Sequence, residues 1–118
     1  MVLIDTSIWV EHFIRGLKEL VTLLNKNEVA IHPFIIGELA CGGLTNRAEI
    51  LTLLRALPAS TTIDLEEYLH FVNYHRLIGK GIGFVDIHIL ASAYIDGYFL
   101  WTADKKLQVI AKKMKLKG

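Results

Sequence analysis

The stretch Met1-Val-Leu-Ile-Asp-Thr-Ser-Ile-Trp9 decides the fold of this chain. Its first apolar residues, Val2–Ile4, are typical of a short buried strand, and the apolar spacing that follows Ser7 predicts a helix. Asp5 therefore stands at the carboxyl end of a strand, which is where open α/β sheets bind their ligands. Because Asp is also a good helix N-cap, this stretch alone fits a cap and a functional carboxylate equally well.

Apolar runs and helical periodicity alternate along the rest of the chain. They predict further strands at residues 29–31, 61–63 and 98–101, with a last edge strand at 114–116. They predict helices at residues 7–14, 17–24, 33–41, 46–57, 65–77, 84–95 and 105–113. Strands alternating with helices imply a parallel sheet between helical layers. We therefore expect an α/β fold: a three-layer α/β/α sandwich around a parallel sheet of four to five strands, in one domain spanning residues 1–118.

The same periodicity predicts which helical side chains face the core. In the helix at 46–57 these are Ile50, Leu53, Leu54 and Leu57. In the helix at 65–77, which begins with a capping box formed by Asp64 and Glu67, they are Leu69, Val72 and Leu77. The helix at 84–95 is apolar nearly all round, so we expect it to be central and buried, with His88 as a satisfied core or surface histidine.

The composition is apolar for a chain of 118 residues, with 53% hydrophobic residues and a mean hydropathy of +0.40. We expect a sheet covered on both faces and some apolar surface covered by a partner. No membrane span is predicted, because acidic residues interrupt the most apolar stretch at 85–98. The single cysteine, Cys41, excludes an internal disulfide and fits a reducing cytoplasm. The first residues lack the basic region of a signal peptide, so we expect a cytoplasmic protein.

Charge is distributed unevenly along the chain. Residues 105–118 hold six of the 13 basic side chains and no acid, so the rest of the chain has 12 acids against seven bases. A basic tail on an acidic body suggests a polyanionic partner. A solvated surface that uses lysine for solubility gives the same pattern.

Three further carboxylates stand in apolar surroundings. Glu38 lies in the middle of an apolar helix, where a buried charge without a partner is costly. Asp86 lies in the first turn of the central helix, where the helix dipole favours an anion. Asp104 follows the strand at 98–101 and repeats the arrangement of Asp5. Each of them alone also fits an ordinary solvent-facing or capping acid.

In a parallel α/β fold these four carboxylates can converge at the carboxyl edge of the sheet. Two charges about 5 Å apart at an effective dielectric of about 20 repel by roughly 3 kcal/mol, so the cluster needs protons or a cation. Oxygen ligands favour Mg²⁺ or Mn²⁺ over zinc, and an acidic cluster with Mg²⁺ suits phosphodiester hydrolysis. Basic groups must then attract the nucleic acid. Those nearest the acidic motifs in sequence are Lys105, Lys106, Lys80 and Arg76.

Four motifs in this order resemble the PIN-domain ribonucleases, and more narrowly the VapC-type toxins of bacterial toxin–antitoxin pairs. The motifs are Leu3-Ile-Asp5-Thr-Ser7, Ile36-Gly-Glu38-Leu39, Gly83-Phe-Val-Asp86-Ile-His-Ile-Leu-Ala-Ser92 and Trp101-Thr-Ala-Asp104-Lys-Lys-Leu107. The resemblance implies a parallel sheet in an α/β/α sandwich and Mg²⁺- or Mn²⁺-dependent endonucleolytic cleavage of RNA. It also implies a homodimer and an antitoxin protein that lays a segment across the acidic groove.

The resemblance further implies roles for individual residues. Asp5, Glu38, Asp86 and Asp104 take the places of an acidic quartet. Asp5 and Asp86 correspond to the main metal ligands, while Glu38 and Asp104 hold water or the outer shell of the metal. Ser7 and Thr102 correspond to hydroxyls that support these ligands. Only lysines follow Asp104, where some relatives carry a further acid, so a second metal site is in doubt.

Other functions fit the residues less well. A phosphoacceptor receiver domain needs an acidic pair near its first strand, which is absent here. A haloacid-dehalogenase-like phosphatase needs a second Asp two residues after the first, where this chain has Ser7. A non-catalytic PIN-like binding module that works through a partner protein is the remaining alternative, which the four intact acids disfavour.

Overall fold

The computed structural model describes residues 1–116 and contains a three-stranded parallel sheet. Strands β1 (Val2–Ile4), β2 (Val29–Ala30) and β3 (Phe99–Trp101) are arranged in the order β2-β1-β3. Leu3 on the central strand pairs with Ala30 on one side and Leu100 on the other. The helices are α1 (Thr6–Arg15), α2 (Lys18–Asn25), α3 (Pro33–Ala40), α4 (Arg47–Arg55), α5 (Leu65–Tyr74), α6 (Phe84–Asp96) and α7 (Lys105–Lys113).

The predicted α/β/α sandwich with a parallel sheet is confirmed, but the predicted four to five strands are wrong for residues 1–116, where the sheet has three. Residues 61–63 do not form a strand, because the backbone N–H and the hydroxyl of Thr61 donate to the Asp96 carboxylate, at 2.8 and 2.6 Å. Next to them, only an isolated bridge between Ile31 and Ala59 extends the sheet.

The edge strand predicted at 114–116 is also absent as a regular strand. The backbone of Lys115 adopts a left-handed conformation with φ 61°, so the chain turns at the end of α7. The N–H of Leu116 closes that turn onto the carbonyl of Ala111, at 2.8 Å. Its own carbonyl accepts from the N–H of Leu100, at 2.6 Å. One hydrogen bond therefore replaces the expected strand pairing.

The core lies between the sheet and the long helix α6. Leu3 and Ile4 are fully buried, and the residues of α6 from position 87 to 93 are all buried. The prediction of a central, buried helix is therefore confirmed. None of the helices within residues 1–116 has the length and apolar character needed to cross a membrane.

Two residues predicted to face the core do not. Leu53 on α4 is 62% exposed and Leu69 on α5 is 46% exposed. Their helices are anchored by Leu54, which was predicted to face the core, and by Phe71, which was not; both are buried. The apolar stripe on each of these helices is wider than the contact it makes with the core, and the remainder of the stripe stays on the surface.

Candidate active site

Asp5 follows the central strand β1 and forms hydrogen bonds with residues at the end of the edge strand β3. It ends β1 and caps α1, with its Oδ1 accepting from the N–H of Thr6 at 2.8 Å. Its Oδ2 accepts from the hydroxyl of Thr102 at 2.7 Å, and its backbone N–H donates to the carbonyl of Trp101 at 2.9 Å. Asp5 is only 7% exposed. The side chain is therefore both a helix cap and a fixed carboxylate at the carboxyl edge of the sheet.

Two hydroxyls connect Asp5 to the loop that follows β3. The hydroxyl of Thr102 donates to Asp5 and accepts from the N–H of Asp104, at 3.1 Å. The hydroxyl of Ser7 lies 3.5 Å from Asp5 Oδ2 and accepts from the N–H of Ala103, at 3.1 Å. These are the two hydroxyls that the sequence predicted to support the carboxylates, and both contact Asp5.

The two exposed carboxylates lie on either side of Asp5. Asp104 caps α7, with its Oδ1 accepting from the N–H of Leu107 at 2.9 Å. Glu38, on α3, accepts from the hydroxyl of Thr6 at 2.7 Å. Sequence reasoning missed this contact of Thr6. The sequence contained a signal for it, because Thr6 lies between Asp5 and Ser7, the two residues of the first motif to which roles were assigned.

Asp86 lies among the other three carboxylates. Burial raises its pKa, and the neighbouring charges of Asp5, Asp104 and Glu38 each raise it further, while a hydrogen bond from the Gly83 N–H lowers it. Hydrogen bonds link the other three: Thr6 donates to both Asp5 and Glu38, and the Thr102 hydroxyl joins Asp5 to the N–H of Asp104. The first turn of α6 holds Asp86 there, with its Oδ2 accepting from Gly83 N at 3.3 Å.

The donor set of this region suits a hard divalent cation. Within residues 1–116, no three His, Cys, Asp or Glu side chains stand close enough to form a ready-made metal cage. Mg²⁺ does not require such a cage, because it keeps several waters and binds through one or two carboxylates together with substrate phosphates. Oδ1 of Asp5 accepts one hydrogen bond, from Thr6, and keeps a second lone pair for a cation. The residues therefore fit Mg²⁺ or Mn²⁺ in their chemistry.

The predicted basic residues are only partly brought together. Arg76, Lys80 and Lys106 line a groove of about 320 Å³ between the turn after α5 and helix α7. Lys105 is not among the lining residues, whereas Lys113 is. Sequence adjacency suggested Lys105. The helical repeat was the better signal, since residues seven apart lie on the same side of a helix.

Two buried histidines lie behind the sheet edge. His32 caps α3, with its Nδ1 accepting from the N–H of Phe34 at 3.0 Å, and it is fully buried. Burial and the nearby His88 lower its pKa to about 4. His88 is buried and stacks on Tyr68, with ring centroids 4.8 Å apart. Its Nδ1 has no partner in the described part of the chain, so the prediction of a satisfied histidine is wrong while its place in the core is right.

The chain belongs to the PIN-domain family, whose sequence model, described as "PIN domain", matches residues 2–113. It is also 41% identical over 109 residues to a protein named Ribonuclease VapC32, from Mycobacterium tuberculosis strain CDC 1551 / Oshkosh. A protein of the same name from strain ATCC 25618 / H37Rv matches equally well. Both matches cover 92% of this chain and 88% of the relative. The resemblance drawn from the four motifs is therefore confirmed.

Proposed function

We propose that this chain is a metal-dependent endoribonuclease that acts as the toxin of a toxin–antitoxin pair. One observation carries the proposal: Thr6 links the Asp5 carboxylate to Glu38, and Thr102 links it to the backbone of Asp104, close to half-buried Asp86. Such a concentration of like charge is typical of a functional site. Membership of the PIN-domain family and the relative named Ribonuclease VapC32 support the same function.

In this proposal Asp5 and Asp86 hold the divalent ion, Mg²⁺ or Mn²⁺, as is general in this family. When bound, such an ion acidifies water and offsets the negative charge that develops on the cleaved phosphate. Asp5 presents its carboxylate in one orientation, because Thr6 and Thr102 donate to its two oxygens. Ser7, in the first turn of α1, also contacts Asp5.

Glu38 and Asp104 take a different part in the proposed reaction. Both are exposed, and each already accepts one hydrogen bond, from Thr6 and from the N–H of Leu107. Their free oxygens are available to hold the attacking water and to accept its proton. Their exposure lets water and RNA reach the site between them.

RNA would be attracted by the basic side chains next to the acidic site. Those proposed from the sequence are Lys105, Lys106, Lys80 and Arg76. Arg76, Lys80 and Lys106 line one groove, which supports a common role in binding phosphate groups.

The partner we propose is an antitoxin protein bound along an apolar groove that begins at the acidic site. Glu38 lies at one end of a cavity of about 670 Å³, and Phe13 and Ile50 continue it into a second cavity of about 320 Å³. Exposed Leu53 lines the second cavity. An amphipathic segment laid along this groove would cover the excess apolar surface and reach the carboxylates.

Assembly and location complete the proposal. We expect two copies of the chain to form a homodimer, each contributing residues 1–118 as one nuclease domain. Exposed apolar side chains that lie outside the antitoxin groove, such as Phe84 and Ile95, leave surface for such a contact. The protein would encounter both RNA and an antitoxin in the cytoplasm, so we propose that it acts there.

Cleavage of a mixture of structured RNAs by the purified protein tests the proposed activity. We would compare Mg²⁺, Mn²⁺ and EDTA, with the wild-type chain, Asp5→Asn and Asp64→Asn. Asp64 is the matched control, because it also caps a helix but at α5, outside the carboxylate cluster. We expect cleavage that needs a divalent ion, disappears in Asp5→Asn and persists in Asp64→Asn.

Two results would contradict the proposed activity. Cleavage by Asp5→Asn at the wild-type rate would remove the carboxylate from the mechanism. No cleavage by the wild type, together with a melting temperature that no divalent ion changes, would favour the non-catalytic binding module.

A further inference from the structure

The groove between α7 and the turn after α5 collects positive charge without a counter-charge. Arg76, Lys80, Lys106 and Lys113 all line it, and all four are exposed. Within residues 1–116 the only ion pair joins Arg15 to Glu11 on α1, so no acid neutralises the groove. Four cations held together without an anion repel one another, and a bound polyanion relieves that repulsion.

The turn that forms one wall of the groove is shaped around a lysine. Gly81 has φ 77°, and a Cβ built on it would lie 2.8 Å from Nζ of Lys106 and 3.1 Å from its Cδ. The side chain of Lys106 therefore lies directly against the backbone of Gly81. This contact places Lys106 on the turn, in the same groove wall as Lys80.

Both walls of the groove lead to the carboxylate cluster. The turn runs into Gly83, whose N–H donates to Asp86. Helix α7 begins at its cap, Asp104. A polyanion with one phosphate at these carboxylates passes directly into the groove, whereas a small anion in the groove would have no relation to them.

The floor of the groove is apolar rather than aromatic. Between the cations lie Leu77, Val109, Ile110 and Met114. The sequence of single-stranded RNA is read through hydrogen bonds to the edges of its bases, and the floor between the cations offers only apolar side chains. Lysine and arginine contacts to phosphate position the strand without reading its sequence.

We infer that this groove is the track for the single-stranded RNA that flanks the cleaved bond, with Lys113 as an additional phosphate-binding residue and with no preference for base sequence. The inference rests on the proposed function. Lys106 and Lys113 are about 10 Å apart along the helix axis, so the track holds a run of nucleotides rather than one anion.

Helix α7 provides a matched control for this inference. Lys112 and Lys113 are adjacent, both exposed and both in the last turn of α7, but only Lys113 lines the groove. Replacing either lysine by Gln removes one charge from the same end of the helix dipole. A difference in RNA binding between Lys113→Gln and Lys112→Gln is therefore due to the position of Lys113 in the groove and not to the change in net charge.

The experiment measures binding of fluorescent oligouridine and oligoadenine, each 12 nucleotides long, over a range of KCl concentrations. The full chain carries Asp5→Asn so that the RNA is not cut. We expect Lys113→Gln to reduce the slope of log K against log salt by about 0.7 for both RNAs. Lys106→Gln should do the same, and Lys112→Gln should leave the slope at the parent value.

Equal slopes for Lys113→Gln and Lys112→Gln would overturn the track. A loss seen with only one of the two RNAs would overturn its indifference to sequence. Polyglutamate is run in parallel, and a loss confined to polyglutamate would mean that the groove binds an acidic protein instead of RNA.

The failure of this inference can be told from failure of the proposed function. If the wild type cuts RNA while Lys113→Gln and Lys112→Gln have the same salt dependence, the track is wrong and the nuclease stands. If no RNA is cut in any metal while the groove variants still lower the slope, the nuclease is wrong and the groove remains an RNA-binding surface without a cleaved bond beside it.

Discussion

Asp5 and Asp104 stand in the same local sequence pattern and in different environments. Each follows a strand and caps the next helix, β1 to α1 and β3 to α7. Asp5 is 7% exposed and accepts from the hydroxyl of Thr102, while Asp104 is exposed and accepts from the N–H of Leu107. The contacts explain the difference: Thr102, from the loop after β3, covers Asp5 and donates to its carboxylate, whereas Asp104 begins α7 at the surface.

The remaining strand, β2, is also followed by a helix cap, and this cap is a histidine. His32 follows β2 and caps α3 as the two aspartates cap α1 and α7. It is fully buried, and burial and His88 lower its pKa to about 4. The cap between a strand and the next helix is thus a buried carboxylate at Asp5, an exposed carboxylate at Asp104 and a buried neutral ring at His32. A cap fixes the backbone geometry. The residues packed around the cap decide what chemistry its side chain can perform, because His32 is buried and Asp104 is exposed although both follow edge strands.

The largest expected effect is on the rate of cleavage, where Asp5 and Asp104 should differ most. Asp5→Asn should lower kcat/KM for RNA by about a thousandfold, because it removes the fixed charge at the centre of the cluster. Asp104→Asn should lower it only about tenfold, since Asp104 acts at the periphery. Steady-state cleavage in Mg²⁺ gives both values, with circular dichroism as the check on folding. Equal losses would mean that burial does not distinguish the two carboxylates.

The histidine cap should make stability depend on pH. His32 takes up a proton near pH 6.5 in the unfolded chain and only near pH 4 in the fold, so protonation favours unfolding in between. The free energy of unfolding should fall by about 2–3 kcal/mol as the pH drops through that window, and the loss should level off below it. Urea unfolding from pH 7 to pH 3.5 measures this.

His32→Asn is the control for that pH dependence, because Asn can cap the helix and does not titrate. Its stability should fall less over the same window. Some dependence should remain, since burial also lowers the pKa of His88. An unchanged pH dependence in His32→Asn would assign the effect to other groups.

A smaller effect concerns the hydroxyl that joins the two aspartates. Thr102→Val should cost about 1–2 kcal/mol, because the Asp5 carboxylate loses a donor and the N–H of Asp104 loses its acceptor. Ser7→Ala should cost less, since the Ser7 hydroxyl is 3.5 Å from Asp5 and its bond is weak. Denaturant titrations at one pH compare the variants. A larger loss in Ser7→Ala would reverse the order of the two hydroxyls.

The smallest effect isolates the capping role of Asp104. Asp104→Ala should destabilise the protein by about 1 kcal/mol through loss of the α7 cap. Asp104→Asn should keep the cap and change stability little, even though it lowers cleavage. Thermal unfolding of the two variants makes the comparison. Equal destabilisation would show that the charge of Asp104, and not its cap, stabilises the helix.

The acidic site was predictable because its residues are tied to the ends of secondary structure elements. A short apolar run followed by Asp5 fixes a strand end and a helix start, and the same holds for Asp104. The sequence therefore placed these carboxylates at one edge before any contact was known. Asp86 and Glu38 follow from their positions on helices that the periodicity also predicted.

Other features depend on contacts between distant residues, which local patterns do not contain. Thr61 belongs to a segment with strand propensity, but Asp96, 35 residues away, takes its N–H and hydroxyl. Leu53 lies on an apolar stripe, and periodicity does not tell which part of the stripe meets the core. Lys105 adjoins Lys106 in sequence, yet successive residues of a helix point in different directions, so only Lys106 lines the groove.

The bond between Thr102 and Asp5 spans 97 residues of chain, and this separation bears on how the protein is made. At a synthesis rate of about 5–20 residues per second, β1 leaves the ribosome about 5–20 s before the residues that complete its site. Parallel pairing over such a distance is also slow to form. Thr102 and Asp104 are therefore missing from the nascent chain for some time after β1 has emerged. A nuclease assembled this way has no complete site until synthesis has passed these two residues.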